Sequence, residues 1–209
     1  MAIAPLTRRS LIATSGLIAA AGLVPAAPLF AQEAGTVTEM IMGDPNAPVT
    51  MIEYASFTCP HCANFEKDVL PLVKADFIDT GKVRLVYREV YFDGPSLWAG
   101  VVARCAGEDR YFGVVDLLYK KQQQWLQGQT GQEVVAGLVS IGKEAGLSED
   151  QTMACLNDED FRKRLVEEFQ KNAAADDVRA TPSFVLNGRK LSNMPWPEFK
   201  AALDAALAG

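Results

Sequence analysis

Residues 51–65 read MIEYASFTCPHCANF, and the periodicity of the chain changes in the middle of them. Val49 to Ala55 is apolar on both faces apart from Glu53, the pattern of a buried strand. Ser56 to Thr58 breaks that run. Beyond Cys59-Pro60-His61-Cys62 the apolar residues Phe65, Val69, Leu72, Val73 and Phe77 take helical spacing. Two cysteines therefore stand at a strand-to-helix junction, with Cys59 in the first turn of the helix.

That position has chemical consequences. A helix start presents unpaired N–H groups and the positive end of a dipole, which favour a thiolate on Cys59. Pro60 suits the first helical position, where its missing N–H costs nothing. His61, the only histidine of the chain, adds a cation when protonated. An easily formed thiolate is a good leaving group, so a Cys59–Cys62 disulfide is expected to be attacked readily and to oxidise other thiols. Three other readings of the motif are weaker. A zinc site needs further ligands, and Cys105 and Cys155 are isolated with no second histidine. Haem attachment needs a histidine after the second cysteine, where Ala63 stands. A purely structural disulfide at the junction is the third.

The 209 residues are 49% hydrophobic and 22% charged, an ordinary globular balance, and the length allows one domain with an insertion or two small domains. A net charge of −6 argues against nucleic acid as a partner. Residues 1–31 differ from the rest. Thr7-Arg8-Arg9-Ser10-Leu11-Ile12 leads into a run to Ala31 with no charge, which reads as an export signal of twin-arginine type, with the general secretory signal as the plainer alternative. Cleavage after Ala26 or Ala31 fits the small residues there. Gly16, Gly22, Pro25 and Pro28 weaken the reading of a membrane helix, and an uncleaved anchor is the alternative. Removing residues 1–31 takes away Arg8 and Arg9 and no acid, which moves the net charge from −6 to −8. Export into an oxidising periplasm would let four cysteines form two disulfides.

The remainder of the chain divides by pattern. Val37 to Met42 predicts an edge strand, and Gly43 to Pro48 a turn. The helix from about Pro60 runs to Ile78 with a kink at Pro71. Val83 to Val90 predicts a strand, which completes a strand–helix–strand crossover. Helices are expected from Gly94 to about Cys105, from Arg110 to about Trp125 and from Gln132 to Ala145. Ser148 to Gln151 reads as a capping box, and Asp158 to about Ala175 as a longer helix. Ser183 to Leu186 and Arg189 to Leu191 flank Asn187-Gly188, a hairpin signal. Pro197 to Ala208 closes the chain as a helix. Residues 32–94 and 158–209 then form the two parts of one α/β unit, with 95–157 a mostly helical insertion.

With these parts in order, the mature chain resembles the DsbA family of thiol:disulfide oxidoreductases. The resemblance rests on Cys59-Pro60-His61-Cys62 after a strand, a helical insertion, and Thr181-Pro182 before a terminal hairpin and helix. It implies a thioredoxin fold with an inserted, mostly helical domain. It implies that Cys59 is the nucleophile, Cys62 the resolving thiol and His61 a stabiliser of the Cys59 thiolate. It further implies that Pro182 is a cis-proline facing the site, with Thr181 binding substrate main chain. The residues alone leave a trans proline opening an edge strand as the alternative. Glu53 is similar to the family's buried acid; a carboxylate inside an apolar strand is costly unless paired or used, and there it would exchange a proton with Cys62. Its alternative is a strand-end glutamate reaching solvent, with Arg88 either its partner or a plain surface arginine.

Cys105 and Cys155 are read as a structural disulfide, whose closed loop would contribute up to about 4 kcal/mol, against two free core cysteines as the alternative. Trp98, Trp125 and Trp196 read as core. Threonine at 181 departs from the valine of the best-known oxidases and is shared with isomerases. The resemblance implies a monomeric periplasmic dithiol oxidase with no metal and no cofactor. Its partners would be unfolded or reduced exported proteins and a membrane quinone-linked, DsbB-like reoxidising protein. A disulfide isomerase, a partner-specific reductase and a non-catalytic peptide-binding module stand as alternatives.

Overall fold

A computed structural model describes residues 36–209; the expected export signal at 1–31 lies outside the described residues. Among the described residues five strands form one sheet in the order β1-β3-β2-β4-β5. They are β1 (Met40–Met42), β2 (Val49–Ala55), β3 (Val83–Glu89), β4 (Ser183–Leu186) and β5 (Arg189–Leu191). β2 and β3 run parallel, and the flanking pairs are antiparallel. The crossover between the parallel strands is helical: α1 (Pro60–Asp68), α2 (Leu70–Val73), then a wide π-helical turn at Lys74–Ile78. The kink expected at Pro71 falls at Val69, because a proline disturbs the turn before it rather than its own.

From β3 to β4 the chain is helical: α3 (Gly94–Cys105), α4 (Glu108–Lys120), α5 (Gln122–Trp125), α6 (Gly131–Glu144), α7 (Glu149–Asn157) and α8 (Glu159–Ala175). Ser148 and Gln151 make the reciprocal capping box that their spacing predicts. The expected helix through Trp125 instead stops at Lys121, where φ is −107° and ψ 15°, and restarts as α5. No glycine or proline marks that break. The hairpin turn uses positive φ at Asn187 (46°) and Gly188 (79°), the conformation for which Asn-Gly is suited. α9 (Trp196–Ala208) closes the chain. Among the described residues no helix is long and apolar enough to cross a membrane.

Strand alternation sorts the core into two faces. Val49 and Met51 of β2, with Leu85 of β3, pack against Phe65, Val73, Phe77 and Phe199 from the helices on one side. Tyr54, with Ile52, packs with Val185, Val90 and Phe169 of α8 on the other. Glu53 shares parity with Met51 and so faces α1; Arg88, registered beside Tyr54, faces the opposite side. Arg88 accordingly does not pair with Glu53. It donates to Glu39 at 2.8 Å and 2.5 Å and to the Tyr54 hydroxyl at 2.7 Å.

The helical segment has its own core around Trp125, Tyr111, Leu118 and Val101. Its attachment to the sheet is polar as well as apolar. Arg104 donates to both carboxylate oxygens of Glu89, at 2.6 Å and 2.7 Å, and Tyr111 donates to the same group at 2.7 Å. Both charged side chains are only 4% exposed, so the pair stands because the guanidinium fork and the phenol satisfy the carboxylate. Cys105 at the end of α3 is joined to Cys155 of α7 by a disulfide spanning 50 residues. Of the tryptophans, Trp125 is fully buried, and Trp98 and Trp196 pack partly buried against the two cores.

Candidate active site

The strand β2 stays buried to its end at Ala55, and the loop from Ser56, still buried through Phe57, turns the chain into α1. Cys59 is the N-cap of α1, with extended backbone (φ −80°, ψ 119°), and Pro60 occupies the first helical position. The carbonyl of Cys59 already accepts from Ala63 N–H at 3.2 Å, so the first helical bond begins at the reactive residue. Its side chain makes no capping bond. The sulfur instead lies half-buried at the surface, free to meet a second sulfur. His61 and Pro60 are exposed beside it.

The Thr181-Pro182 peptide bond is cis. The Cys59 Sγ donates to the Thr181 carbonyl at 3.3 Å, across 122 residues of sequence. A cis peptide at the head of β4 thus faces the helix start, and Thr181 places main-chain groups beside the half-buried sulfur.

Cys62, one turn on, is fully buried. Burial pushes its thiol far above the ordinary range; a hydrogen bond from the Ser56 main chain offsets part of this, and Cys59 and Glu53 add to it. Glu53 is likewise 0% exposed, which excludes the solvent-reaching alternative, and both its carboxylate oxygens lack a hydrogen-bond partner. Desolvation raises its pKa well above the usual range, and the neighbouring Glu66 carboxyl adds to the effect. Both effects favour the protonated form of Glu53, and the group lies close enough to Cys62 for a charge on it to act on that thiol.

Glu66 was not singled out by the sequence, although it follows Cys62 by four residues and so shares its helix face. Its Oε1 is buried without a partner, while the rest of the side chain reaches a cleft of about 510 Å³ between α1 and α4, lined also by Asp116, Tyr119 and Lys120. Burial, with Asp116 nearby, pushes Glu66 up to about 8. Cys62, Glu53 and Glu66 thus form a series of neighbouring titratable groups that leads from the inner sulfur to the cleft between α1 and α4.

The loop before Cys59 is fastened by the helical segment. Ser56 O accepts from the Tyr119 hydroxyl at 3.1 Å, and Phe57 N–H donates to the Ser96 hydroxyl at 3.1 Å. Thr58 donates to Asp93, which also caps α3 through Ser96 N–H. Gln122, buried in α5, donates to the carbonyls of Phe57 and Cys59 at 2.8 Å and 3.1 Å. Ser96, Tyr119 and Gln122 carry no local signal, because each acts on residues 39 to 65 positions away.

Comparison with known proteins agrees with this arrangement. A family model described as thioredoxin matches residues 35–205. The putative protein-disulfide oxidoreductase of Rickettsia bellii (strain RML369-C) is 31% identical over 170 residues, covering 81% of this chain. The chain spans 64% of that relative's length. The disulfide bond formation protein D of Bacillus subtilis (strain 168) is 26% identical over 181 residues, covering 81% of this chain and 77% of that one. Among solved structures, Wolbachia pipientis alpha-DsbA1 superposes with a TM-score of 0.76 at 26% identity, over 83% of this chain and 93% of its own. The fold is the thioredoxin fold with a helical insertion.

Proposed function

The chain belongs to the DsbA-like family of thioredoxin-fold proteins, and on that premise we propose that it is a thiol:disulfide oxidoreductase that oxidises protein thiols. The observation that carries the reading is the asymmetry of the two sulfurs. Cys59 sits half-buried at a helix start against the cis Thr181-Pro182 bond, and Cys62 is sealed above an unpaired buried acid.

That asymmetry orders the steps. A substrate thiolate attacks Cys59 Sγ of the Cys59–Cys62 disulfide, the S–S bond breaks, and Cys62 leaves with the electron pair. Burial makes the Cys62 thiolate unfavourable, so it takes a proton at once, and the neutral Glu53 is the donor. Glu66 restores that proton from the cleft. A second substrate thiolate attacks its partner sulfur in the mixed disulfide and displaces Cys59 as a thiolate, favoured by the helix start with His61 beside it. The substrate leaves with a disulfide, and two electrons stay on the protein. Thr181 and Pro182 hold the substrate main chain in this reading.

The substrates are reduced exported proteins, and a membrane quinone-linked, DsbB-like protein re-forms the Cys59–Cys62 bond. The leader-like residues 1–31 and the Cys105–Cys155 disulfide support a periplasmic site of action, since such bonds persist in oxidising compartments, and the protein acts there as a monomer. Residues 95–157 act as an insertion that braces the site. Thr181, in place of valine, favours disulfide isomerisation as the second reading.

Glutathione titration of the purified protein, with oxidation of a dithiol peptide, tests the proposal. We expect a strongly oxidising couple and stoichiometric peptide oxidation, lost in Cys59→Ser. A strongly reducing couple would overturn the oxidant reading, and efficient reshuffling of a scrambled substrate would move it to the isomerase.

A further inference from the structure

The amide of Gln122 is placed where a structural helix residue has no need to be. α4 breaks at Lys121 without a glycine or proline, and the break swings the next residue under the active-site loop. The short α5 is then locked in place. Trp125 at its end donates from Nε1 to Leu118 O at 2.8 Å, and Lys121 pairs with Glu144 of α6 at 2.5 Å. α6 approaches so closely that a Cβ on Gly137 would meet the Trp125 Cα at 2.8 Å. Gln122 is 4% exposed, and its one Nε2 serves two carbonyls on either side of Thr58.

We propose that Gln122 is a positioning residue whose amide, supplied by the helical insertion, holds the Phe57–Thr58 and Cys59–Pro60 peptides and thereby sets how readily Cys59 Sγ attacks and departs. The inference rests on the reading of Cys59 as the reacting sulfur. Two effects act together. The amide fixes the carbonyl of Cys59, so the sulfur stays aligned with the N–H groups of the helix start and with the Thr181 carbonyl. It also brings the positive end of a rigid dipole against two carbonyls, as a second partner for that of Cys59 beside the Ala63 N–H, and so offsets negative ends that oppose charge on the neighbouring sulfur. The helical insertion in this way tunes the chemistry of the cysteine pair from 63 residues away.

Gln122→Met keeps the length and removes the donor. Gln122→Glu keeps the shape and points a carboxylate at the same carbonyls. In both, the glutathione equilibrium is expected to shift about tenfold toward the protein disulfide, which corresponds to roughly 30 mV. In a Cys62→Ala background, alkylation of Cys59 near pH 6 should slow severalfold, more for Glu than for Met. A residue that only fills space would lower the unfolding midpoint and leave both readouts at the wild-type value, and that result overturns the proposal. Failure of both variants to fold would equally assign Gln122 a structural role. If instead the wild-type protein does not oxidise the dithiol peptide, the functional reading fails and not the role of Gln122 in it.

Discussion

Replacing Glu66 by glutamine isolates the electrostatic cost of the titratable groups beneath Cys62. The Glu66 carboxyl sits at about 8 against an ordinary value of 4.5. In the unfolded chain it loses its proton near the ordinary value; in the folded protein it keeps it until about 8. Between those limits the folded state binds more protons, so stability falls as pH rises through that window and the full cost is present above it. At about 1.4 kcal/mol per pH unit the ceiling at pH 7 is about 3 kcal/mol. Water entering the cleft screens the outer part of the side chain, so about 2 kcal/mol is the expected gain for Glu66→Gln at pH 7. The gain should vanish near pH 4 and level off above about pH 8. Urea unfolding of both proteins at four pH values, with the redox state of the cysteines held constant, reads it directly. A stability difference that is flat with pH, or largest in acid, would show that Glu66 is not held protonated by its surroundings.

Other outcomes follow from the same contacts. Glu53→Gln removes the proton donor for Cys62 and should slow formation of the substrate mixed disulfide by about 100-fold, read by rapid acid quench, with little loss of stability because burial already disfavours a charge on Glu53; an unchanged rate would remove Glu53 from the mechanism. Arg104→Met strands the buried Glu89 carboxylate on the Tyr111 hydroxyl alone, and should cost about 3–5 kcal/mol in denaturant unfolding, with part recovered by adding Glu89→Gln. Replacing Cys105 and Cys155 by alanine opens a loop of 50 residues and should lower stability by up to about 4 kcal/mol, seen as a lower unfolding midpoint.

Features governed by near neighbours were legible in the sequence. The strand-to-helix switch around Cys59, the Ser148 capping box, the Asn187-Gly188 turn and the buried strand β2 each depend on residues a few positions apart, where chain geometry alone fixes the outcome. The apolar strand around Glu53 also raised the question of a buried acid before its surroundings were known. The place of Pro60 at the first helical position followed from the same local pattern.

The remaining parts of the site depend on contacts between distant segments. Spacing could not say that Arg88 points away from Glu53, because that follows from the register of β2 against β3. Nor could it place the Thr181 carbonyl against Cys59, the Gln122 amide under the loop, or the cleft that opens Glu66 to water. By itself the sequence determined which sulfur lies at the helix start and which elements surround it. Only the tertiary structure decided which sulfur is sealed, which acid is left without a partner and which side chains hold the loop, since burial and hydrogen-bond reach are properties of the packed chain and not of any one segment.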